Sequence, residues 1–209
     1  MADIAIDVQS TPVTPASGVQ VLYADTTSGA LSTKDAAGFV RSSVTNFSSA
    51  SQSPAAATRT YLTGSALRIG TNKLQVGSVL RWRWNMTKTA AGSAASTIDV
   101  CVGTAGTTAD TARLSFTKPA GTAAIDEAFC ELEVIVRGPV GASGVFVGEF
   151  TLIHNLASTG HATIPCVCVN TVSAAFDITT ANLIVGVCLT SGASDAITIQ
   201  QMFAEAYNI

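Results

Sequence analysis

The residues on which chemistry could rest are few: two histidines, five cysteines and a thin set of carboxylates. His154 and His161 build neither a His-x-x-x-His ligand pair nor a Ser-His-Asp constellation, so each is expected in a structural or surface role. Cys166 and Cys168 could join His161 as zinc ligands, but cysteines two apart on a strand share one face, and that face is expected to be buried. The cysteines (Cys101, Cys130, Cys166, Cys168, Cys188) contain no Cys-x-x-Cys pair, and five cannot all pair within one chain. Buried thiols are the expectation, with disulfides between subunits the alternative once an assembly leaves a reducing cell.

The Gly103-Thr104-Ala105-Gly106-Thr107-Thr108 stretch lacks the lysine a phosphate loop requires, and its glycines read as turn residues. Asp126-Glu127 and Glu131/Glu133 do not establish two carboxyls facing across a cleft, as glycoside hydrolysis needs. No catalytic residue, metal or cofactor is therefore expected, and the chain reads as non-enzymatic.

Arg59 to Lys88 is the most suggestive polar stretch, because it carries basic residues and no acid. Arg68, Lys73, Arg81, Arg83 and Lys88 are candidate contacts for an acidic partner such as an anionic glycan. Strand alternation sends Leu80, Trp82 and Trp84 inward and Arg81 and Arg83 outward, which separates the aromatic from the basic set. Without a stacking platform nucleic acid is not an expected partner. A packed core beneath a solvated or salt-bridged face is the plainer reading.

The elements that must position these residues are strands. Runs at 61–62, 66–69, 79–86, 97–102, 112–116, 129–137, 144–153, 162–170, 183–190 and 196–207 recur between turn signals. Leu132, Val134 and Val136 form one inward face and Phe146, Phe150 and Leu152 another, with Glu131, Glu133 and Arg137 opposite the first. The fold class is all-β, an antiparallel β-sandwich of jelly-roll-like type over 59–209. Helix competes only at 196–207, where Gln, Met, Ala and Glu favour it.

Residues 1–46, broken by Thr11-Pro12, Thr14-Pro15 and Ser17-Gly18, read as an extended arm with short hairpins. Its apolar pieces (Val19, Val21, Leu22, Tyr23, Leu31, Phe39) are too few for a core of their own and are candidate attachment residues. The small-residue stretch 47–58 reads as a flexible linker.

Only 12% of the 209 residues are charged, with a net charge of −3, and no Lys or Arg follows Arg137. Between Glu149 and Asp177, and on to Asp195, no charged side chain occurs. Such bare tracts predict burial between subunits, since a lone soluble chain rarely exposes so much apolar surface. Polar and turn residues interrupt every apolar run, so a spanning helix is not expected, and no basic leader precedes an apolar segment at Met1.

Thr14-Pro15-Ala16-Ser17-Gly18-Val19-Gln20-Val21-Leu22-Tyr23-Ala24, followed by Leu31-Ser32-Thr33-Lys34-Asp35-Ala36-Ala37-Gly38, resembles the N-terminal segment of tailed-bacteriophage structural proteins such as fibres and other virion appendages. Lys88 to Gly92 and Gly103 to Thr111 resemble loops of jelly-roll domains in phage surface proteins, and the two resemblances together cover about a third of the chain. Val19 and Gln20 depart from the small or basic residues common there. The resemblance implies a virion-surface component, commonly a homotrimer, assembled in the host cytoplasm and attached to other virion proteins through the arm. A capsid-decoration or head-fibre subunit is the expected role; the alternative is a receptor-binding tail-fibre or spike subunit whose partner is a host-surface glycan. No membrane contact, catalytic residue or cofactor is implied.

Overall fold

A computed structural model describes residues 8–9, 12–25, 31–34, 40–89, 92–179 and 182–209. The described residues are all-β. The strands are β1 (Val8–Gln9), β2 (Val21–Asp25), β3 (Leu31–Lys34), β4 (Val40–Ser48), β5 (Thr60–Tyr61), β6 (Leu67–Ile69) and β7 (Val79–Lys88). They continue as β8 (Ser96–Gly103), β9 (Thr111–Lys118), β10 (Asp126–Val136), β11 (Phe146–His154), β12 (Cys166–Val172), β13 (Leu183–Thr190) and β14 (Ile197–Tyr207). A nine-stranded sheet, in the order β1-β2-β3-β4-β14-β7-β10-β11-β12, packs on a smaller one in which β13 joins β5 and β6 to β8 and β9. The result is a jelly-roll-like sandwich whose pairings are antiparallel apart from β1 with β2.

The core follows from alternation. Leu80, Trp82, Trp84 and Met86 of β7 point between the sheets, as do Leu132, Val134 and Val136 of β10 and Phe146, Phe150 and Leu152 of β11. Ile98, Val100 and Val102 of β8 and Val185, Val187 and Leu189 of β13 close the layer from the smaller sheet. Trp84 stacks on Phe150 with ring centres 5.9 Å apart. At Gly148 of β11 the sheets approach so closely that an added Cβ would lie 2.8 Å from both Leu114 and Phe116.

β14 resolves the competition between helix and strand. Ile197, Ile199, Met202, Ala204 and Ala206 are buried, and the pairing with β7 shifts register between Ile199 and Gln201. That bulge turns Gln200 and Gln201 both outward and restores the alternation after them, so the apolar positions fit a period of two on either side of one extra residue. β14 pairs β7 on one side and β4 on the other, and burial in mid-sheet outweighs the helix propensity of its residues.

The N-terminal strands continue the large sheet. Ser43–Ser48 of β4 pair with β14, β3 pairs with β4, and β2 and β3 form a hairpin. The expected linker at 47–58 is tethered instead: Phe47 and Ser48 complete β4, Gln52 exchanges backbone bonds of 2.9 and 2.8 Å with Ile199, and Ala57 donates to Ser191 O. Backbone attachments at Gln52 and Ala57 hold this stretch to the fold, while most of its side chains stay exposed. One consequence is a sharper place to truncate. Removing residues 1–46 would strip most of β4 and uncover an edge of β14, whereas removing 1–39 keeps that cover. The 1–39 deletion is expected to melt as cooperatively as the full chain and the 1–46 deletion to aggregate, which calorimetry and light scattering would read.

Candidate assembly surface

The outer face of the nine-stranded sheet is built by the residues that alternate with the core. Register places Phe47, Phe203, Arg83, Glu131, Thr151 and Cys168 in one row across five neighbouring strand pairs. A second row runs Gln201, Asn85, Phe129, Ile153 and Cys166. On the other side lie a charged row of Glu205, Arg81, Glu133 and Glu149 and an apolar row of Tyr207, Val79, Ile135, Val147 and Val172.

Both arginines of this face are paired within the chain. Arg81 holds Glu133 through Nε at 2.9 Å and through Nη2, and reaches Glu131 at 3.3 Å and Glu205 at 3.6 Å; Arg83 donates to Glu205 at 2.7 Å. The guanidinium of Arg81 lies 5.7 Å from the Tyr207 ring centre and that of Arg83 5.8 Å from Phe203. Each exposed pair contributes well under about 1 kcal/mol, but together they fix the charges against their own sheet.

Large apolar side chains are presented outward among the polar ones. Phe47 is 70% exposed and Ile153 53%, with Phe129, Ile135, Val172 and Phe203 also exposed. Shallow depressions lie between them, one of about 480 Å³ lined by Phe47, Arg83, Asn85, Phe129 and Phe203, another of about 440 Å³ lined by Phe129, Ile135, Glu149 and Ile153. Both are open troughs across a sheet face, and Glu131, Glu133, Thr151 and Asn170 also line the second.

The candidate acidic-partner residues are not brought together. Arg81 and Arg83 sit on the outer face with their carboxylates, Arg68 is exposed on β6 of the smaller sheet, and Lys73 is half-buried in the turn region after it. Lys88 is a correction: it is buried, and its ammonium donates to the carbonyls of Gly92 and Thr122. It shares the parity of Trp82, Trp84 and Met86, so its stem lines the core while its head ties two loops. Of the candidate arm residues, Val19, Leu22 and Leu31 are exposed and Val21 is half-buried. Tyr23 is fully buried although it lies outside the main core, and Phe39 lies outside the described residues.

The histidines enter a buried polar cluster that sequence spacing did not assemble. His154 Nδ1 meets Asp126 Oδ2 at 2.6 Å and its Nε2 meets Ile164 O at 2.6 Å, both side chains being sealed from solvent. Asp126 also accepts from the backbone N–H groups of His161 and Glu127. Burial works to raise the Asp126 pKa, but these hydrogen bonds and the neighbouring His154 outweigh it and hold the carboxyl below its ordinary value. His161 packs its ring on that of His154, with neither of its nitrogens hydrogen-bonded. Burial chiefly lowers its pKa to about 4. Lys118 donates to His161 O at 2.6 Å, and desolvation leads the lowering of its pKa. Asp126 and His154 become partners because β10 runs antiparallel to β11 with Ala128 opposite His154. Only that register, not the intervening sequence, carries the signal.

The cysteines divide differently from the expectation. Cys101, Cys130 and Cys188 are buried, whereas Cys166 and Cys168 are exposed on β12, the edge of the large sheet. Val167 and Val169 compete for the inner side of β12, and the more apolar valines take it. Among the described residues no group of three or more His, Cys, Asp and Glu side chains is placed to hold a metal ion.

No known family matches this sequence. No curated protein matches it either. Among solved structures, a legume lectin-like domain from Entamoeba histolytica is similar over 76% of this chain and 89% of its own, with 9% identity and a TM-score of 0.21. Likeness at that level carries no inference about binding.

Proposed function

We propose that this chain is a non-enzymatic structural subunit of a tailed-bacteriophage particle, a capsid-decoration or head-fibre protein that assembles as a homotrimer. The observation that carries the assembly reading is the outer face of the large sheet: Phe47, Phe129, Ile135, Ile153, Val172 and Phe203 are exposed there while Arg81 and Arg83 are already paired. Covering that apolar area is a gain, set against the cost of desolvating the glutamates that share the face. The phage context comes from the resemblance of the 14–38 segment, and the arm strands supply a sheet edge to which another virion protein can add.

Sedimentation equilibrium tests the assembly. The full chain is expected at three times its monomer mass, and Phe129→Glu with Phe203→Glu is expected to weaken association about 30-fold or more, on the scale of about 2 kcal/mol for a central contact. Both side chains already face solvent in the single chain, so the variant's melting temperature as a monomer should stay within a few degrees of wild type. A chain that remains monomeric at high micromolar concentration would sink the trimer.

A further inference from the structure

The outer side of the smaller sheet hides a second set of reactive groups, unrelated to the assembly face. Cys101 lies opposite Gly186 and Cys188 opposite Asp99 in the β8/β13 ladder, so the two cysteines are diagonal neighbours on one face. Their sulfurs stand 2.6 Å apart, within easy reach of the ~2.05 Å of a bond. Neither side chain belongs to the core between the sheets.

Arg59 lies over this pair. Its Nη2 donates to Cys101 Sγ at 3.1 Å, its Nε to Asp99 at 3.1 Å, and its Nη1 to Thr108 O at 2.9 Å. The Arg59 side chain is 31% exposed, so the sulfurs lie one side chain beneath the surface. Tyr61 covers the other side: it pairs with Cys188 across β5 and β13, and its hydroxyl occupies the space that any side chain at 186 would need. The cover is a strand of two residues at the sheet edge, the kind of element that opens locally at low cost.

We propose that Cys101 and Cys188 form a redox-modification site, a cross-strand dithiol that a small-molecule disulfide oxidises to an intrachain disulfide joining β8 to β13. The guanidinium of Arg59 lies against the pair and favours a thiolate there. One of the two cysteines, as thiolate, attacks one sulfur of the small disulfide and expels one small thiolate, leaving a mixed disulfide. The other then gives up its proton, attacks the first protein sulfur and expels the second small thiolate. The two protons lost by the protein end on the two released thiols, so two protein thiols are oxidised and one small disulfide is reduced.

Oxidised glutathione is the probe, applied to the full folded chain, followed by acid quenching, alkylation in denaturant, intact mass and peptide mapping. The expected product is lighter by two hydrogens before alkylation, contains a Cys101–Cys188 linked peptide, and reverts with dithiothreitol. Closing a loop of this length is expected to raise the melting temperature by about 10 °C. Cys188→Ser should abolish the two-hydrogen loss involving Cys101 and leave that thiol alkylated or carrying glutathione. Finding Cys101 and Cys188 fully alkylated after wild-type oxidation would overturn the proposal, as would either cysteine linked instead to Cys130, Cys166 or Cys168.

Discussion

Replacing Trp84 with alanine is expected to lower stability by about 3–5 kcal/mol and the melting temperature by about 10 °C or more, read by calorimetry on the purified chain. Trp84 is buried between the sheets, stacked on Phe150, and Phe150 in turn meets Phe116 at 6.2 Å. Truncation therefore opens a cavity where the large sheet touches the smaller one, and the β-scaffold around it cannot collapse fully to fill it. Phenylalanine substitutions separate packing from hydrogen bonding. The Trp82 indole donates to Ser65 O at 2.7 Å, whereas the Trp84 indole nitrogen is buried with no partner. Trp84→Phe removes a donor that gains nothing by being there, so part of its packing loss is offset. Trp82→Phe leaves a buried carbonyl short of a donor and should be the worse of the two by about 1–3 kcal/mol. Equal losses would mean that these two hydrogen-bonding differences carry no weight.

The same strand shows where sequence patterning succeeds and where it stops. Leu80, Trp82 and Trp84 alternate with Arg81 and Arg83, and the structure keeps every one of those sides. Lys88 continues the inward parity, yet its charge assigned it to the outside. Parity was the better guide, because a lysine can bury its stem and satisfy its ammonium on two loop carbonyls. On β12 parity had no preferred phase: Cys-Val-Cys-Val is apolar on both sides, and only packing against the smaller sheet decides between them. On β14 the correct alternation was masked by a bulge, which places Gln200 and Gln201 side by side on the outer face. The arm's short hairpins were legible from Pro, Gly and the apolar pieces between them. Their continuation of the sheet through β4 was not, because Ser43–Ser48 meet a partner strand more than a hundred and fifty residues further along the chain. The outer face of the large sheet and the Asp126–His154 pair share that limit. Each is a product of strand register, and register over long separations is set by the whole core rather than by any local run.

Mild acid is expected to destabilise the fold in two separable stages, the first belonging to His161. Its ordinary pKa is 6.5 and burial chiefly lowers it to about 4 in the folded chain. Above pH 6.5 the ring is neutral in both states and adds no pH dependence. Between 6.5 and about 4 the unfolded chain takes up a proton that the folded chain refuses, so stability falls with falling pH, by about 3 kcal/mol across the window. The groups that face the ring set this balance: Asp126 favours the proton, while Lys118 and His154 oppose it along with burial. A second stage follows below the ordinary carboxyl value of 3.8. There the unfolded Asp126 protonates first, and the stability contributed by its bonds to His154 and to the His161 N–H is lost as pH falls through its lowered folded pKa. His161→Leu tests the assignment because it keeps the backbone N–H that Asp126 uses and removes only the ring. Urea unfolding from pH 7 to 3 should show the first stage flattened and the second retained. The variant should also gain stability at pH 7, since two unpaired buried nitrogens are replaced by an apolar side chain of similar size. An unchanged slope between pH 6.5 and 4 would place the titration on another group and show that His161 does not hold its proton off in the folded chain.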